Sequence, residues 1–82
     1  MDLSAQMILF AKVVESQSFS AAARSLGQTT SAVSRQIGAL EDRFKVRLVN
    51  RTSTGLTLTD EGKTFYEHCH NLAVSVADAE DL

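Results

Sequence analysis

Thr29, Thr30, Ser31, Ser34 and Arg35 form the cluster in this chain whose types and spacing could do chemistry. Four carry small hydroxyls that can donate or accept one hydrogen bond, and the fifth is a guanidinium with five donors in a fixed fork. Read on a helix, Ser31, Ser34, Arg35 and Gly38 fall on one side, opposite Val33, Ile37, Leu40 and Phe44. A helix with an apolar stripe behind and hydroxyls plus an arginine in front suits a DNA major groove. There an arginine can bind guanine bidentately and short hydroxyls reach base edges or phosphates. A plainer explanation competes at the start of the segment: one of Thr29, Thr30 and Ser31 is needed as the helix N-cap, which requires no DNA. For Arg35 the plainer alternative is a solvated surface arginine or a phosphate clamp without base preference.

Other chemistries have weaker support. His68-Cys69-His70 has the composition of a metal site, but residues two apart on a helix point about 200° apart, so the histidines cannot chelate one ion. Cys69 fits an apolar seam better. The chain offers no nucleophile with an evident base, no phosphate-binding glycine loop and no carboxylate pair with a pocket. Neither an enzyme nor a cofactor or metal is expected in this domain.

The charge distribution agrees with a nucleic-acid partner although the total does not. The formal net charge is −2, yet Arg24 to Arg51 carries six basic residues (Arg24, Arg35, Arg43, Lys45, Arg47, Arg51) against Glu41 and Asp42. That segment is +4 and the remainder −6, with Asp78, Glu80 and Asp81 gathered near the C-terminal end. A localised basic patch is what phosphates need. Eighty-two residues make one small domain, with 44% hydrophobic residues and neither Trp nor Pro, so the core must be Leu, Val, Ala and Phe between helices. No apolar run approaches a membrane span, no signal peptide is evident, and one cysteine fits a reducing, cytoplasmic setting.

The elements that must position the cluster follow from periodicity. Leu3, Met7, Phe10 and Val14 draw a stripe on a first helix from about Leu3 to Glu15, with Asp2 as cap. Ser18 or Ser20 caps a short Ala-rich helix from about Ser20 to Leu26, and Gly27 supplies its left-handed end. The third helix spans about Thr30 to Phe44. Phe19 to Gly38 thus reads as a helix-turn-helix. Val46 to Arg51 and Leu56 to Thr59, around Thr52-Ser53-Thr54-Gly55, read as a β-hairpin with Val46, Leu48, Leu56 and Leu58 inward and Arg47, Arg51, Thr57 and the tip outward. Thr59 caps a last helix on which Phe65, Cys69, Leu72, Val76 and Ala79 recur at heptad spacing. Phe65 is expected to pack back on the first helix in part, and the distal half to pair with a second copy.

With those residues placed, the chain resembles the N-terminal DNA-binding domain of LysR-type transcriptional regulators. The resemblance rests on Ser18 to Leu26, Ser31 to Ile37, Leu40-Glu41, Val46 to Leu48, Asn50 to Thr52 and Leu58 to Gly62, in that order and spacing. It departs at Ser31, where the family usually has proline, at Thr30, often glutamine, at Gly38, often larger, and at Val49-Asn50. It implies that Thr29, Thr30, Ser31, Ser34 and Arg35 contact DNA, and that Arg51 and the hairpin tip, with Thr54, touch phosphates or the minor groove. It also implies that the last helix pairs two domains through Phe65, Cys69, Leu72 and Val76.

The expected fold is mainly α: a winged helix-turn-helix over residues 1–59 (motif 19–38, wing 46–59), then a linker and dimerisation helix over 60–82. The expected function is sequence-specific binding of double-stranded DNA, as a homodimer on a partly palindromic operator. In a full-length regulator the resemblance further implies a higher oligomer, RNA polymerase as a partner, and an effector-binding domain for a small molecule, absent from this chain. That absence would make the chain an excised fragment or a truncated regulator. The alternative is a winged-helix module for protein interaction or oligomerisation without DNA binding.

Overall fold

A computed structural model describes residues 2–82. Three helices, α1 (Leu3–Ser16), α2 (Phe19–Leu26) and α3 (Thr30–Phe44), lead into an antiparallel hairpin of β1 (Val49–Thr52) and β2 (Gly55–Leu58). The long helix α4 (Asp60–Glu80) follows. This is a winged helix-turn-helix. Every helix starts on a short oxygen-bearing side chain that accepts a first-turn amide: Asp2 from Ala5, Ser18 from Ala21, Thr29 from Ala32 and Thr59 from Gly62. The cap of α2 is therefore Ser18, and Phe19 is its first helical residue. At the end of α2, Gly27 adopts φ 67°, and the Gln28 N–H reaches back to the Ala23 carbonyl at 2.9 Å.

The core is one continuous cluster. Phe10 and Val13 of α1, Val33, Ile37 and Leu40 of α3, Leu48 and Val49 at the wing entry, and Cys69 of α4 are all fully buried. Ala22 and Ala23 of α2 are buried as well, and Phe19 at its start packs, half-buried, against the same core. Each large apolar side chain removed from water contributes roughly 1.5–3 kcal/mol before chain entropy is subtracted. α1 packs most extensively on α4. Phe65 sits in that junction, its ring 5.2 Å from the rings of both Phe10 and Phe44.

The structure corrects three expectations. The first strand begins at Val49, not Val46; Val46 is 37% exposed and Val49 is buried. Phe44, at the end of the α3 stripe, is 41% exposed, its ring edging an open cavity that Val46, Leu48 and Phe65 also line. Cys69 is wholly covered by its own chain, so it has no surface for a partner, and burial pushes its thiol pKa up to about 12.

The wing is held to the helices by polar contacts with backbone. Glu41 of α3 accepts the amides of Leu48 at 2.8 Å and Val49 at 3.2 Å. Thr59 donates its hydroxyl to the carbonyls of Arg47 at 2.7 Å and Leu48 at 3.2 Å while capping α4. Gly62 lies so close to this turn that a Cβ there would stand 2.0 Å from the Leu48 carbonyl oxygen.

Candidate nucleic-acid interface

The first two turns of α3 stand at the surface. Val33 and Ile37 point into the core, which turns Ser31, Arg35 and Gly38 outward; Ser31 and Arg35 are exposed, and Ser34 and Gly38 are half-buried. Thr29 is the cap: its Oγ1 accepts from Ala32 N at 3.1 Å and lies 3.4 Å from Ser31 Oγ. Thr30 follows it, exposed, as the first helical residue. Arg35 makes no hydrogen bond or ion pair with any of the described residues. A Cβ built on Gly38 meets nothing within 4 Å, so packing inside the chain does not call for a glycine there.

Arg51 is exposed and lies beside this face. It projects from β1, its Nη1 donates to Ser34 Oγ and its Nη2 to the Ser34 carbonyl at 3.5 Å. Its guanidinium carbon lies 4.6 Å from the centroid of the Phe19 ring, a cation–π contact. One arginine thus joins the wing, the start of α2 and the second turn of α3. At the hairpin tip, Thr54 is exposed, with its hydroxyl 3.4 Å from that of Thr52. Arg47 and Lys45 are exposed at the other end of α3, where a shallow polar depression is lined by Gly38, Glu41, Asp42, Lys45, Val46 and Arg47.

The histidines stand apart from this face. His70 Nδ1 is 3.7 Å from Glu15 Oε2, and Tyr66 donates to the same oxygen at 3.0 Å. Among the described residues no group of three metal-ligating side chains gathers, and no helix is long and apolar enough to cross a membrane.

Comparison with known proteins fixes the family. The sequence profile of the bacterial regulatory helix-turn-helix proteins of the LysR family matches residues 4–63. The chain belongs to that family. Among its relatives, the HTH-type transcriptional activator AaeR of Escherichia coli K12 is 40% identical over 76 residues, 93% of this chain and 25% of that protein. The full-length Vibrio cholerae virulence activator AphB superposes with a TM-score of 0.89 at 34% identity, over 99% of this chain and 28% of AphB. The BenM DBD in complex with catB site 1 DNA superposes with a TM-score of 0.87 at 33% identity, over 99% of this chain and 90% of that one. This LysR-family domain spans about a quarter of the length of the curated relatives it matches.

Of the residues expected at the interface, the structure brings Ser31, Ser34 and Arg35 onto one exposed helix face, with Arg51 against Ser34. It leaves Thr54 separate at the wing tip. Of the α4 seam of this LysR-family domain, Phe65 and Cys69 are spent on the chain's own core. Leu72 is half-buried and Val76 is 39% exposed beside Val74 at 45%. Sequence reasoning overlooked Glu41 and Phe19 as positioning groups. The Leu40-Glu41 pair is part of the family pattern, but nothing in spacing or charge says that its carboxylate closes on amides seven and eight residues later.

Proposed function

We propose that this domain binds double-stranded DNA sequence-specifically within a bacterial transcriptional regulator, with α3 in the major groove and the wing on the adjacent backbone or minor groove. Thr30, Ser31, Ser34 and Arg35 meet the DNA; Thr29 serves first as the cap and Thr54 meets phosphate from the wing tip. Arg51 belongs to the same contact region. Two copies pair through the distal half of α4, around Leu72 and Val76, and place their α3 helices in successive grooves of a partly palindromic operator. A larger regulator containing this domain would add a higher oligomer, a small-molecule effector and RNA polymerase, and would work in the cytoplasm. The domain itself needs no cofactor.

The observation that carries this reading is Arg35: exposed, its side chain without an intrachain partner among the described residues, and flanked by hydroxyls on a helix that buries Val33, Ile37 and Leu40 on its other side. An arginine that the fold does not use, one turn into a helix that follows a tight turn, has the geometry of a base-reading residue. The likeness to a domain solved with its DNA supports the same orientation.

A gel shift across a salt series tests the proposal, using random duplex and a duplex selected by this protein from a random pool. Affinity is expected to fall steeply with salt, by about 0.9 in the logarithmic slope for each phosphate neutralised, and to favour the selected duplex. Absence of binding to either duplex at low salt would overturn it and favour a protein-interaction module.

A further inference from the structure

We propose that Arg51 is a positioning residue that sets the hydrogen-bonding polarity of Ser34. Through it, one lone pair of Ser34 is occupied and its hydroxyl proton is kept free to donate to an acceptor on the DNA. The inference rests on the reading of α3 as the DNA-facing helix and assigns Arg51 a role inside it.

A serine hydroxyl has one proton and two lone pairs, so which of them faces a ligand is ordinarily undecided. Arg51 decides it. A guanidinium has no acceptor, so in the contact between Arg51 Nη1 and Ser34 Oγ the serine must accept. The second donor, Nη2, reaches the Ser34 carbonyl at 3.5 Å, which ties the fork to backbone as well as to the rotatable hydroxyl. The guanidinium is kept there by the Phe19 ring, 4.6 Å from its central carbon. The usual intrahelical outlet for a helical serine, the carbonyl four residues back, is not taken: Ser34 Oγ makes no other hydrogen bond among the described residues. Its proton is therefore left to donate outward, on the same face as Ser31 and Arg35.

The consequence is a bias toward acceptors. Ser34 can pair with a lone-pair acceptor: purine N7, guanine O6, thymine O4, or a phosphate oxygen. The acceptor is one chemistry with two sources, base or phosphate, and the two leave different marks on sequence preference.

The test is a double-mutant cycle on the whole chain, with Ser34→Ala, Arg51→Gln and both together. Binding is titrated by fluorescence anisotropy on the duplex selected by the wild type, over a salt series, with thermal melting to verify folding. Each single change is expected to weaken binding roughly 10-fold, the order of one lost hydrogen bond, and the double change no further than the worse single. The salt slope of Arg51→Gln is expected to match wild type, because the arginine acts through serine and not on phosphate. Arg51→Lys, which keeps one donor but loses the fork and most of the stacking, is expected to recover part of the affinity.

Reselection with Ser34→Ala then separates the two sources. Loss of preference at one base position marks a base acceptor, and uniform weakening with unchanged preference marks a phosphate oxygen; both support the polarity. A salt slope reduced by about one in Arg51→Gln, with losses that add in the double variant, makes Arg51 a direct phosphate contact and overturns the inference. Undiminished binding by Ser34→Ala overturns it too. Wild-type protein that binds no duplex would remove the functional reading itself, whereas these outcomes remove only the polarity.

Discussion

The two ends of α3 carry polar side chains of similar kinds and use them in opposite ways. At the C-terminal end, Glu41 closes on the amides of Leu48 and Val49, and Arg43 donates to Gln6 of α1 at 3.3 Å. At the N-terminal end, Ser31 makes only a long contact with the cap Thr29, and Arg35 has no partner among the described residues. The difference teaches how the work is divided along one helix. One end fixes the wing and the neighbouring helices to it; the other is left with unspent donors on an open face. Arg51 sits at the division, held by the fold and touching the face that is left open.

The largest effect expected from breaking the fixed end is at Gly62. A Cβ there would overlap the Leu48 carbonyl at 2.0 Å, and backbone on both sides cannot yield as a flexible side chain would. Gly62→Ala is expected to lose about 3 kcal/mol of stability. Urea unfolding checks this, and a midpoint equal to wild type would show that the wing turn adapts freely. Next is Glu41→Ala, which leaves two amides at buried residues without an acceptor; about 2–3 kcal/mol should go, again read by urea unfolding. A loss below 0.5 kcal/mol, roughly that of an ordinary surface change, would mean that water replaces the carboxylate.

Gly38→Ala sharpens the contrast from the other side. The added methyl meets open space, so the chain should gain up to about 1 kcal/mol of stability from helix propensity. DNA affinity should nevertheless fall, because the methyl thickens the face that approaches the groove. Greater stability with unchanged affinity would move Gly38 off the interface.

The smallest effect is expected at the far end of the molecule. Asp2 has its pKa lowered from 3.8, chiefly by the hydrogen bond from Ala5 N and then by the one from Ser4. A carboxylate with a depressed folded pKa contributes stability that is present above its unfolded value and lost as pH falls through the folded one. Asp2→Asn should therefore flatten the acid limb of the stability profile slightly below pH 4, measured by thermal melting. An identical acid limb would show that the cap is not formed in solution.

Much of this was legible in the residues, because the signals were local. Asp2, Ser18, Thr29 and Thr59 each stand where a helix begins, and each accepts a first-turn amide. The stripe Val33, Ile37, Leu40 identified the buried face of α3 and, by exclusion, the open one. What escaped depends on contacts distant in sequence. Val46-Arg47-Leu48 alternates like a strand, yet the Leu48 amide goes to Glu41 and ladder pairing begins at Val49, opposite Leu58. Arg51 is exposed, as expected, but strand alternation says nothing of the aromatic ring 32 positions earlier that its guanidinium lies over. Gln17 and Lys45 end α1 and α3 in left-handed conformations that usually select glycine, so composition gave no sign of either stop. On α4, a heptad seam has the same spacing whether it faces a partner or its own core. Phe10 and Phe44 claim Phe65, and burial claims Cys69.

Whether the unspent end of α3 reads sequence is decided by Arg35→Ala. Anisotropy titration of wild type and variant on the selected duplex and on a scrambled duplex of equal composition gives the comparison. The account predicts a loss of about 1–3 kcal/mol on the selected duplex and a much smaller one on the scrambled duplex. Equal losses on both, or none on either, would contradict it.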